Sequence, residues 1–81
     1  MSYVLDDAHK RGLCARLARV EGQLRGLQKL LQADTDPEKT AQQMAAARKA
    51  LDKAFFAFVT TLIAEGQFSA SEVSELLIRF A

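Results

Sequence analysis

The sequence predicts an all-α fold, an antiparallel hairpin of two long helices followed by a short third one. Three observations carry this. Apolar residues recur at three- and four-residue spacing along two long stretches. An aspartate–proline turn separates those stretches, and Ser69 with Glu72 marks a third helix start. No strand-like alternation, internal repeat or low-complexity tract interrupts the pattern.

The first helix is expected over about residues 6–32. Leu13, Leu17, Val20, Leu24, Leu27 and Leu31 form a narrow seam resembling that of a coiled coil, and Asp6 and Asp7 complement the positive end of the helix dipole. "ADTDPEK" breaks the periodicity. Asp36 precedes a proline and so leaves helical geometry. It is placed to cap a second helix over about 37–65, with Pro37 at the first position, where no N–H is needed. Met44, Leu51, Phe55, Phe58 and Leu62 share one face of that helix, and Gly66 is the expected left-handed terminator. In the third helix, about 70–80, Ser69 and Glu72 make a capping box and Phe68 and Val73 are spaced as a hydrophobic staple. Val73, Leu76, Leu77 and Phe80 then follow the helical apolar rule.

With 81 residues, the chain reads as one domain spanning 1–81, near the lower limit for a self-sufficient core. Its apolar share of 49% and charged share of 26% are those of a folded, water-compatible chain. No apolar run approaches the roughly 20 residues of a membrane span. The opening "MSYVLDDAHKRG" lacks a signal-peptide core, and the single cysteine, Cys14, cannot form an internal disulfide. A cytoplasmic protein without membrane attachment is expected.

Homo-oligomerisation follows from dimensions. Each long helix spans roughly 40 Å, whereas eleven residues of third helix reach only about 16 Å and cannot cover the hairpin. The second helix is also apolar on two sides, because Ala45, Phe56 and Ile63 lie about 100° from the Leu51–Phe58–Leu62 seam. Phe55 and Phe56 are therefore expected at an oligomer contact, and two hairpins joined into a four-helix bundle are the simplest symmetric solution. Gly22 and Gly26 each weaken their helix by about 1 kcal/mol relative to alanine. With Ala15 and Ala18 they cluster opposite the leucine seam, where small residues admit a second protein contact or the close approach of DNA phosphates.

No constellation for catalysis is present: His9 is the only histidine and lacks a nucleophile at pairing distance, and "GQLRG" does not make a phosphate loop. His9 and Cys14 are about 140° apart on a helix and cannot share one ion from it. No enzyme activity, no cofactor and no metal ligand set is read from the sequence. The net charge of +1 hides an asymmetry: up to Leu31, six basic residues face three acidic ones, for +3, and the other five basic and seven acidic residues give −2. Arg16, Arg19 and Gln23 share one edge of the first helix, with Arg48 on the matching edge of the second and Lys49 further round. Such side chains serve phosphates and base edges. Ion pairs within the bundle, such as Arg48 with Glu21, are the other use of the same charges.

"RLARVEGQLRGLQKLL" followed by "AAARKALDKA", with the C-terminal "SEVSELLIRF", resembles the CsoR/RcnR/FrmR family of small all-helical bacterial repressors, which respond to metals, formaldehyde or persulfide. The resemblance covers about residues 9 to 64. It implies a dimer-of-dimers tetramer that binds double-stranded operator DNA through Arg16, Arg19 and Arg48, with Gln23 beside them, and releases it on effector binding. The family's effector ligands fall here on Pro37 or Glu38, on Leu62 or Ile63, on Gly66 or Gln67, and near Leu5. None offers a thiolate or an imidazole. The expectation is a repressor with an altered or lost effector site that binds copper(I), nickel(II) and zinc(II) weakly and does not release DNA in response to them. Two alternatives stand beside it: an oligomeric helical module that binds another protein, such as a paralogous repressor, and a repressor that senses a metal through other ligands.

Overall fold

The structure is a computed structural model and describes residues 5–81. Three helices account for the fold: α1 (Asp7–Gln32), α2 (Pro37–Ala64) and α3 (Ala70–Phe80). The described part has principal extents of 47 × 27 × 18 Å.

Each helix begins where its capping chemistry dictates. Asp6 caps α1 by accepting the His9 N–H at 2.8 Å, and Asp36 caps α2 by accepting the Glu38 N–H at 3.2 Å. Ser69 and Glu72 form the reciprocal box, with the Glu72 N–H donating to Ser69 Oγ at 3.2 Å and the Ser69 N–H donating to Glu72 Oε1 at 2.9 Å. Gly66 ends α2 with φ +67°, and its N–H and that of Gln67 return to the Ile63 and Leu62 carbonyls. The end of α1 closes by the same pair of bonds, from Asp34 to Leu31 and from Thr35 to Leu30, but an aspartate holds the left-handed position, at φ 53°.

The four residues between α1 and α2 reverse the chain, so the helices pack antiparallel and Asp6 meets Glu65 at the far end. The contact is heptad-like. Val20 and Leu27 of α1 are buried, as are Thr40, Ala47, Ala54 and Thr61 of α2, each set stepping by seven residues. Small residues on α2 let the helices approach closely, and both buried threonines bond their hydroxyls to carbonyls one turn back, to Asp36 at 3.3 Å and Ala57 at 2.8 Å. The leucine stripe thereby divides. Val20 and Leu27 are 5% and 8% exposed, but Leu17 and Leu24 are each 48% exposed. Leu31, Met44, Leu51 and Phe58 continue this open apolar face. On α3 only Val73 is buried, while Ile78 and Phe80 remain exposed. No helix of the described residues is long and apolar enough to cross a membrane.

Candidate nucleic-acid interface

The basic edge is a groove between the two long helices. Arg16, Arg19 and Gln23 descend α1 within about two turns, and α2 faces them with Lys49 and Lys53 across a floor of Ala46 and Ala50, enclosing about 380 Å³. Alanine makes this possible: a larger residue at either position would fill the space between the cationic side chains. Every charged side chain of the lining is a cation. Among the described residues none of these four cations has a carboxylate within ion-pairing distance. Glu21, the acid nearest in sequence on α1, is held by Arg25 at 3.0 Å, one turn further along the same helix. Asp52, beside Lys53 on α2, makes no ion pair with either groove lysine. Four uncompensated cations in one groove, with a glutamine amide beside them, form a surface suited to a phosphate backbone.

Arg48 lies elsewhere. Lys49, not Arg48, shares the groove with Arg16 and Arg19, because consecutive helical residues are about 100° apart. Arg48 borders the open apolar face, beside Val20, Leu24, Leu27, Met44 and Leu51. It makes no ion pair with Glu21. Lys53 was not singled out in the sequence, yet its i, i+4 relation to Lys49 is the signal that assigns both to one stripe. Gly22 and Gly26 are solvent-facing, and a β-carbon built on either meets no atom within 4 Å. On the helical wheel they lie about 60° and 20° beyond Arg19, so the bare backbone adjoins the basic edge.

The aromatic pair of α2 stacks edge to face, Phe55 on Phe56, with ring centroids 5.3 Å apart. Phe55 is half-buried and lines an apolar groove of about 440 Å³ with Leu13, Leu17, Leu51 and Phe58. Phe56 is exposed and borders a second depression with Phe80. Cys14 is a free, exposed thiol at the edge of the first groove.

The positions at which the resemblance places effector ligands do not suit a soft metal. Pro37 opens α2, Leu62 is buried, Ile63 is half-exposed and Gly66 is the left-handed bend. Another group of donors does assemble, at the end of the hairpin far from its turn. His9 Nδ1 lies 3.0 Å from Asp6 Oδ2 and 3.1 Å from Glu65 Oε1, and the Asp6 N–H donates to Glu65 Oε1 at 2.7 Å. The bond from the His9 N–H holds the Asp6 carboxyl below its ordinary range, and the bond to Glu65 holds the His9 imidazole above its own. Sequence spacing hid this group, because Glu65 is fifty-nine residues from Asp6.

A profile of metal-sensitive transcriptional repressors matches residues 9–77, spanning the basic groove and all three helices. Neither the curated proteins nor the solved structures compared with the chain give a match. With most of its length covered by that profile, the chain belongs to the metal-sensitive transcriptional repressor family.

Proposed function

We propose that this repressor grips operator DNA through Arg16, Arg19, Gln23, Lys49 and Lys53, and that soft metals no longer act at the effector positions of its relatives. The observation that carries the reading is the groove itself, four cations and an amide, with none of the cations held in an ion pair among the described residues. Gly22 and Gly26 fit beside it as the place where a phosphate strand comes nearest the helix backbone. The chain works as a homo-oligomer, a dimer or a dimer of dimers, so that the groove recurs around a two-fold axis and meets successive turns of the duplex. Arg48 reaches the same DNA from a second copy. A repressor works beside the chromosome, which places it in the cytoplasm.

Titration of duplex DNA from the flank of its own gene, at several salt concentrations, tests this. Affinity falls steeply with salt, and the Arg16→Ala, Arg19→Ala double variant flattens the log–log slope by about one unit for each lost phosphate contact. The oligomer stays intact, since alanine favours helix and the apolar face is untouched. If the parent binds no DNA at low salt, or if the variant keeps the same slope, the groove is not the DNA contact. The open apolar face then favours the second reading, an oligomeric module docking another helical protein.

A further inference from the structure

We infer that Asp6, His9 and Glu65 form a binding site for a borderline divalent cation, zinc(II) or cobalt(II), outside the ligand positions at which relatives hold their effectors. Two observations carry it. First, one imidazole nitrogen and two carboxylates from the start of α1 and the end of α2 place a donor atom each within 4.8 Å of one another. The two contacts to His9 Nδ1, 3.0 and 3.1 Å, fit the edges of a coordination shell. Bonds of about 2.0–2.2 Å set neighbouring ligand atoms about 3.0 Å apart around a six-coordinate ion and about 3.4 Å apart around a four-coordinate one. Second, Glu65 carries a lone pair with nothing to do. Its side chain is only 12% exposed, Oε1 already takes the Asp6 N–H and the imidazole, and Oε2 is buried without a hydrogen-bond partner among the described residues. A buried carboxylate oxygen left unpaired is costly, and a cation that takes the imidazole's place beside Oε1 and is held by both Glu65 oxygens gives Oε2 the partner it lacks.

The donor set selects the ion. One imidazole with two carboxylates suits zinc(II) or cobalt(II) and offers nothing to copper(I), which prefers thiolate or thioether. Cys14 has no part in it: it lines the apolar groove and is not among the donors that cluster there. The sequence leads to an expectation of weak zinc(II) binding, because the family positions fall on Pro37, Leu62 and Gly66; this site, assembled from other residues, departs from that expectation. An ion here ties the cap and first turn of α1 to the residue that caps the end of α2, closing the open end of the hairpin opposite its turn.

The test is titration of the metal-free, full-length protein with zinc(II) against a chromophoric chelator, with cobalt(II) absorption as the second readout. One equivalent binds per chain, and the Cys14→Ala variant takes it up unchanged. Glu65→Gln and His9→Gln weaken it at least about tenfold. Asp6→Asn keeps the helix cap, because asparagine caps as well as aspartate, and still weakens zinc binding; circular dichroism shows that this variant is folded. No uptake by the parent, uptake unaffected by Asp6→Asn and Glu65→Gln, or loss with Cys14→Ala overturns the site. No DNA enters the measurement, so its failure is distinct from failure of the DNA-binding reading.

Discussion

Asp34 shows what a single residue can give away. It sits at φ 53°, where an L side chain crowds the following carbonyl and only short polar residues are tolerated at modest cost. Gly66 does the same work at the end of α2 without that cost. Asp34→Gly is therefore expected to raise stability by up to about 1 kcal/mol, read as a higher urea midpoint with an unchanged slope. An unchanged or lower midpoint refutes the strain at this turn. The pair also shows which residues the sequence reveals. A glycine after an apolar run announces a helix end by itself, and Asp36 before a proline announces a cap. An aspartate in the left-handed position is legible only once the helix end is fixed. Glu65 was hidden for a different reason: its partners lie fifty-six and fifty-nine residues away in the sequence, and nothing in the local spacing connects them.

At the scale of the helix, the elements were legible almost to the residue because caps, proline and periodicity agree at each boundary. The orientation of each helix was not. A stripe spaced by three and four supplies two seven-residue sets, and either can face the neighbouring helix. The structure turns Val20 and Leu27 inward and leaves Leu17, Leu24 and Leu31 open. The same rotation brings Lys49 to the basic groove and carries Arg48 away from it. It also leaves Gly22 and Gly26 with empty space above them, so α1 carries two weak points that no contact within the chain requires. Replacing both by alanine is expected to stabilise the hairpin by up to about 1 kcal/mol at each site. In the same variant DNA affinity is expected to fall several-fold, because the proposed contact brings a phosphate strand to the place the added methyl groups would take. Urea denaturation and DNA titration read the two effects separately. A more stable protein with undiminished affinity shows that these glycines lie on an idle, solvated face.

Across the whole molecule, the dominant fact is an apolar face too large for one chain. Leu17, Leu24 and Leu31 on α1 and Met44, Leu51 and Phe58 on α2 run along the hairpin in two parallel rows. Val20, Leu27, Ala47 and Ala54 close the hairpin beneath them, and α3 buries only Val73 of its own apolar side. A second hairpin laid on these rows completes a four-helix bundle, burying large side chains that the isolated chain leaves half in water. The charged groove and the glycines lie on other faces, so such a bundle leaves them free for DNA. Leu24→Asp with Leu51→Asp separates the two levels of structure. Both side chains belong to the open rows, so each hairpin keeps its buried contacts, whereas pairing would bury four uncompensated carboxylates for each dimer and is strongly opposed. Sedimentation is expected to show the parent as a dimer or larger and the variant as a smaller species that remains helical. Its DNA affinity falls with the oligomer even though Arg16, Arg19, Lys49 and Lys53 are unchanged, because one groove alone contacts too few phosphates. A parent that sediments as a folded monomer of 8.9 kDa refutes the bundle. A variant that stays assembled places the interface on another face, with Phe56 and Phe80 the next surface to change.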